Sequence, residues 1–147
     1  MLVKNWTIRK ANLKDLNYFH ESIQQIHSMN IDMDIFKEQF VKKLRNRNCL
    51  LYVIETTLAN PIGCICCEKE ESLLTNKPII QIKEFYISPM YRKLNIADEL
   101  FLYIYEKSVK LGMNKIEVLC NLNSTTTQNF YARKKFLPIK KLYVKTI

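Results

Sequence analysis

The stretch from residue 79 to residue 112 limits the fold more than any other part of the chain. Ile79-Ile80-Gln81-Ile82-Lys83-Glu84-Phe85-Tyr86-Ile87-Ser88 is rich in β-branched and aromatic residues and reads as a long strand, closed by Pro89, which has no N–H for a ladder. From residue 95 to residue 111 the period changes. Ile96, Leu100, Ile104 and Leu111 recur at helical spacing, Phe101 and Tyr105 widen the stripe, and Gly112 stands where a helix ends in a left-handed residue. A strand that passes within a few residues into an amphipathic helix calls for a sheet beneath that helix.

The rest of the chain supplies that sheet and its other cover. Trp6-Thr7-Ile8-Arg9 reads as a short strand, after which Asn12 can cap a helix with Leu13, Leu16, Phe19, Ile23 and Ile26 on one side. A second helix is expected from about Asp34, with Phe36, Phe40 and Leu44 on one side. Residues 49–54 and 62–67 form a strand pair across the turn residues Ala59-Asn60-Pro61. Residues 115–120 make a further strand, a short helix runs through Phe130 and Tyr131, and a last strand is expected near Leu142-Tyr143-Val144. The order β, two helices, three strands, helix, strand, helix, strand argues for one mixed α/β domain over residues 1–147, with no linker or repeat to divide it.

Several functions lose ground on composition. No apolar run approaches the ~18 residues that cross a bilayer, and the first residues do not read as a leader, so no membrane association and a cytoplasmic location are expected. Five cysteines, three of them crowded at Cys64, Cys66 and Cys67, have poor zinc spacing and suit buried free thiols; no metal is expected. A net charge of +9 attracts polyanions, but its lysines are scattered and no nucleic-acid motif accompanies them, so nucleic acid is not the expected partner.

Two motifs carry the functional reading. Tyr86-Ile87-Ser88-Pro89-Met90-Tyr91-Arg92-Lys93-Leu94-Asn95-Ile96-Ala97 resembles the strand and acetyl-CoA loop, R/Q-x-x-G-x-G/A, of the GCN5-related N-acetyltransferases (GNAT); Arg92 and Ala97 fit, and Asn95 replaces the first glycine. The run 129–136 is similar to the same family's C-terminal signature, with Ser124, Thr127 and Lys135 where asparagine, alanine and glycine are usual. The resemblance implies a mixed, mostly antiparallel sheet with helices on both faces, acetyl-CoA as acyl donor and an unidentified primary amine as acceptor. A non-catalytic acyl-CoA-binding or interaction module on the same fold is the alternative, and a homodimer through an exposed edge strand is compatible with either.

Acetyl transfer from a thioester to an amine needs an anchored donor, a polarised carbonyl, a neutral amine and a protonated leaving thiolate. The resemblance places the diphosphate of CoA on Arg92 and the backbone N–H groups of Lys93, Leu94, Asn95, Ile96 and Ala97, at a helix N-terminus whose dipole favours anions. It places the pantetheine along Phe85 and Ile87, with the Ile87 N–H on the thioester carbonyl and Ser124 as a further donor-side contact. Tyr131 is the expected general acid, since a phenol near pKa ~10 lies close to a thiol near ~8.5. Glu84, the sole carboxylate between Ser72 and Asp98, is the candidate base, sharing a face with Tyr86 and Ser88 opposite Phe85 and Ile87.

Overall fold

A computed structural model describes residues 5–147; residues 1–4, on which the reading of no leader rests, lie outside them. The chain forms a five-stranded sheet in sequential order: β1 (Trp6–Lys10), β2 (Cys49–Thr56), β3 (Pro61–Glu70), β4 (Ile79–Ile87) and β5 (Ile116–Val118). The first four strands pair antiparallel and β5 joins β4 in parallel. The expected mixed, mostly antiparallel sheet with helices on both faces is therefore observed.

Strand β2 shows why the pattern is nearly continuous in apolar residues. Its side chains alternate between two cores, Leu51 and Val53 on one face, Tyr52 and Ile54 on the other. On the first face lie α1 (Leu16–His27) and α2 (Met33–Arg45), which bring Phe19, Phe36 and Phe40 against Cys64 and Cys66. The other face is covered by α3 (Ile96–Lys110), whose Ile96, Leu100 and Ile104 pack on Ile65, Ile80 and Ile82, and by Tyr131 of α4 (Thr125–Arg133). Each such fully buried side chain contributes about 1.5–3 kcal/mol over an exposed one.

Local chemistry sets the helix ends, in places differently from the sequence reading. Asn12 caps a 3₁₀ turn, Leu13–Asp15, rather than α1 itself: its side chain accepts from the Lys14 N–H, and Asp15 reaches back to the Asn12 N–H. Asp15 is thereby free to be buried, because Arg9 meets both its oxygens at 2.8 Å. Leu13 lies outside the core as a result, as does Leu111 after the last turn of α3. Asp32 caps α2 through the Ile35 N–H, and Gly112 ends α3 at φ +73, as its position predicts.

One further expectation is corrected, and one glycine explained. Gly63 lies inside β3, within the expected strand, where an added Cβ would come within 2.6 Å of Ile87 Cδ1 and 2.8 Å of Ile54 Cγ2. Residues 142–144 do not form a strand in the described chain, and all side chains of residues 137–147 are exposed. A strand needs a ladder partner, and these residues lie against none. No helix among the described residues is long and apolar enough to cross a membrane.

Candidate active site

The loop between β4 and α3 is built on two left-handed residues. After a 3₁₀ turn, Pro89–Tyr91, the backbone takes φ +70 at Lys93 and φ +61 at Asn95, which is also the residue before the first turn of α3. Asparagine tolerates this region and lysine does so at a cost of about 1–2 kcal/mol. The Asn95 side chain makes no cap bond, so the leading N–H groups of α3 keep their hydrogens for an anion. Acidic residues in that first turn are already engaged, Asp98 by Lys134 and Glu99 by the Trp6 indole N–H. Arg92 ties the loop to β4: its Nε donates to the Ile87 carbonyl at 2.9 Å and its guanidinium lies 5.5 Å from the Tyr86 ring centroid.

Strand β4 then parts from its neighbour. The parallel ladder covers only Ile80, Gln81 and Ile82 against Ile116, Glu117 and Val118; from Lys83 onward β4 is paired on one side alone. Alternate residues of an antiparallel strand send both backbone groups to the same side. Because the Ser88 N–H donates to Ile62 on β3 at 2.8 Å, the N–H groups of Ile87 and Phe85 turn toward the open side. Their side chains belong to the α3 core, with Phe85 5.9 Å from Phe130 of α4.

A bulge decides what the other face of β4 carries. Cys66 pairs with Glu84 and Cys67 with Ile82, so Lys83 has no partner across the ladder. Upstream, the even-numbered Ile80 and Ile82 face α3; downstream, the odd-numbered Phe85 and Ile87 do. The inversion sends Glu84 and Tyr86 to the α1 side, in the grouping read from the sequence. There the His27 Nε2–H of α1 donates to both carboxylate oxygens of Glu84, at 2.9 and 3.0 Å. Tyr18, also of α1, shares a 2.7 Å hydrogen bond with Ser88 and meets the Tyr86 ring edge-on. Glu84 lines a cleft of about 290 Å³ between α1, α2 and the sheet, together with Ile23, Phe36, Gln39, Phe40, Glu68 and Lys83 among others.

Tyr131 projects from α4 into the opposite core. It is 5 % exposed, and the rings of Phe130 and Phe136 lie 5.2 and 5.1 Å from it. Burial pushes its phenol well above the ordinary value, so it is neutral at any working pH. The thiols of Cys64 and Cys66 are likewise pushed up to about 12 by burial, and Cys67 rises well above its usual range. No group of three metal-ligating side chains occurs among the described residues.

The model of the acetyltransferase (GNAT) family matches residues 14–136, most of the chain. The chain belongs to the GNAT acetyltransferase family. No curated protein matches its sequence. Among solved structures it is similar to a possible acetyltransferase from Clostridium difficile 630, at 18 % identity and a TM-score of 0.85 over 98 % of this chain and 99 % of the other. A transcriptional regulator from Bacillus halodurans C-125 is similar at 15 % identity and a TM-score of 0.87 over 97 % and 99 % of the two chains. An aminoglycoside acetyltransferase from an uncultured soil metagenomic sample, in complex with trehalose, is similar at 16 % identity and a TM-score of 0.80 over 97 % of each chain. At these identities the likeness is one of fold.

In this GNAT domain Arg92, Lys93, Leu94, Asn95, Ile96 and Ala97 form one continuous loop and helix start beside the open side of Phe85 and Ile87, and Tyr131 flanks the same core. Glu84 stands on the other face. Ser124 precedes α4 without capping it, and its hydroxyl donates to Thr127 at 2.7 Å. Sequence reasoning missed His27, which lies 57 residues from Glu84 along the chain. Its only available signal was its place in the last turn of an amphipathic helix. Tyr18 was missed for the same reason, a helical position with no motif around it.

Proposed function

We propose that this GNAT domain is an acetyl-CoA-dependent N-acetyltransferase that passes the acetyl group directly to a primary amine of a small molecule or peptide. The observation that supports it best is the unpaired half of β4, which presents donor-side groups at Phe85 and Ile87 and a carboxylate at Glu84 on its two faces. Arg92 and the free N–H groups at the start of α3 hold the diphosphate. The Ile87 N–H, fixed in place by the β3 ladder, stabilises the thioester carbonyl as charge gathers there, an effect worth about 3 kcal/mol for a preorganised donor.

Glu84 takes the proton of the incoming ammonium, and His27 holds its carboxylate toward the acceptor side. Tyr131 gives its proton to the departing thiolate. Burial raises the phenol, but a thiolate released in the same apolar surroundings is raised as well, so the two stay matched. The buried cysteines remain protonated near neutral pH, which favours direct attack over an acetyl-cysteine route.

Calorimetric titration of acetyl-CoA into wild type and Arg92→Ala, followed by thiol release with a panel of primary amines, tests the reading. Binding near micromolar, about −8 kcal/mol, lost in the variant, together with turnover, is the expected result. No binding would overturn it, and binding without turnover across the panel would point to an acyl-CoA-sensing module instead.

A further inference from the structure

The sheet face beneath α1 and α2 carries two rows of opposite character. In the first, Leu51 of β2 stands opposite Cys66 of β3, and Cys66 opposite Glu84 of β4, so one carboxylate ends an otherwise apolar row. Neighbouring strands lie about 4.8 Å apart, which makes the row from Leu51 to Glu84 roughly 10 Å long. Phe19 of α1 and Phe36 and Phe40 of α2 pack with Leu51 and Cys66, the Phe40 ring 5.1 Å from Phe19 and 5.9 Å from Phe36. Beside this row the charges answer one another: Lys43 of α2 bonds Glu68, and Lys83 lies 3.7 Å from both Glu68 and Glu70. All of these side chains except Glu70 line the cleft of about 290 Å³ between the two helices and the sheet.

These charges choose among amines. Glu84 is met by the His27 imidazole and, among the described residues, by no lysine or arginine, so it keeps an attraction for an ammonium group. A second ammonium in the cleft would find Glu68 already held by two lysines and would be buried uncompensated. A carboxylate would compete for lysines that Glu68 and Glu70 already engage. What the other walls reward is an apolar body, and the cleft stands at the lower edge of the usual range for small-molecule sites, about 300–1,000 Å³. One ring on a short arm fits both the volume and the row.

Given the acetyltransferase reading of the site, on which this rests, we propose that the acceptor is a small primary amine with a single positive charge and a compact aromatic or branched apolar body. Its ammonium lies at Glu84 and its body along Cys66 and Leu51, against Phe36 and Phe40. On transfer the nitrogen–carbon bond forms as the carbon–sulfur bond breaks. One ammonium proton leaves to solvent through Glu84, and a second replaces the one that Tyr131 gives to the sulfur. Diamines, polyamines and free amino acids are poor acceptors, because each brings a further charge into walls whose charges are already paired.

Thiol release from acetyl-CoA with phenethylamine, ethylamine, cadaverine and phenylalanine tests the class, with calorimetry of phenethylamine on the protein in the presence of coenzyme A as a readout besides activity. Phenethylamine is expected to exceed each of the others by about 100-fold or more in kcat/KM, since a single methylene in an apolar pocket is worth about 10–200-fold. Phe36→Leu should lower the ratio of phenethylamine to ethylamine by about tenfold. Should that variant not fold, Gln39→Glu, an exposed residue of the cleft wall, serves in its place and raises the ratio of cadaverine to phenethylamine by about threefold or more. Turnover in which any other amine equals phenethylamine overturns the proposal and leaves the acetyltransferase reading standing, as do ratios that neither variant moves. Phenethylamine binding without turnover of any amine overturns that reading while the ligand class of the cleft stands, and neither binding nor turnover overturns both.

Discussion

Replacing Lys135 by glycine should make the protein more stable. Lys135 follows α4 at φ +69, a region open to glycine and costly to a residue with a Cβ, by about 1–2 kcal/mol. Its side chain is exposed and makes no bond among the described residues, so glycine removes the strain without removing a contact. Against this stands the larger backbone freedom of glycine in the unfolded chain, about 0.5–1 kcal/mol. The difference leaves Lys135→Gly about 0.5–1 kcal/mol more stable, a rise of roughly 1–4 °C in Tm for a domain of this size.

Two companions calibrate the figure. Asn95→Gly, at φ +61, should lie within about 0.5 kcal/mol of wild type, because asparagine already accepts the left-handed region. Gly112→Ala, at φ +73 with nothing within 4 Å of the new Cβ, should lose about 1 kcal/mol through backbone strain alone. Urea unfolding with a common m-value gives all three. A lowered midpoint for Lys135→Gly, or a neutral Gly112→Ala, would refute the reasoning.

Tyr131→Phe should lower kcat by about 10²-fold or more while leaving acetyl-CoA affinity, read by calorimetry, close to wild type. His27→Ala should cost about tenfold in kcat/KM with His27→Gln partly restoring it, whereas Glu84→Gln should cost more than either; equal rates in all three would remove this pair from the chemistry. Gly63→Ala forces β3 from Ile87 and should destabilise by about 1–3 kcal/mol, with weakened donor binding as the accompanying change. Glu68 is held below its usual range by the Lys43 ammonium, so it stabilises the fold above the unfolded carboxyl value of about 4.3 and loses that contribution as pH falls through its own lower value. The stability gap between wild type and Glu68→Gln should therefore be full at pH 6–7 and shrink progressively as pH falls below about 4.3; a gap that stays constant or widens on acidification would contradict the assignment.

The sheet and its helices were legible because both faces of the sheet are covered. β2 and β3 read as apolar runs, α3 as a stripe ended by Gly112, and Asn95 as the residue suited to a left-handed turn. The donor side was legible for a related reason: a strand, a loop and a helix start are contiguous in the chain. The acceptor side was not, since Glu84 meets His27 only when α1 is laid across β4, and nothing near His27 marks it. The left-handed Lys93 carries no compositional signal, and neither does the bulge at Lys83. Residues 137–147 have the composition of a strand, but a ladder needs a second strand, and a sequence does not say where that strand lies.

The unpartnered Lys83 acts on β4 as an inserted letter acts on a reading frame. Every side chain after it is phase-shifted by one, so the half of the strand that anchors the sheet and the half that borders the cleft obey opposite parities. Substitutions at Glu84 or Tyr86 can therefore retune what enters from α1 without disturbing the Phe85 and Ile87 wall. Removing Lys83 would close the ladder into regular alternation, with Glu84 directly after Ile82 and still opposite Cys66, so both halves would keep their faces and only the bend of the bulge would be lost.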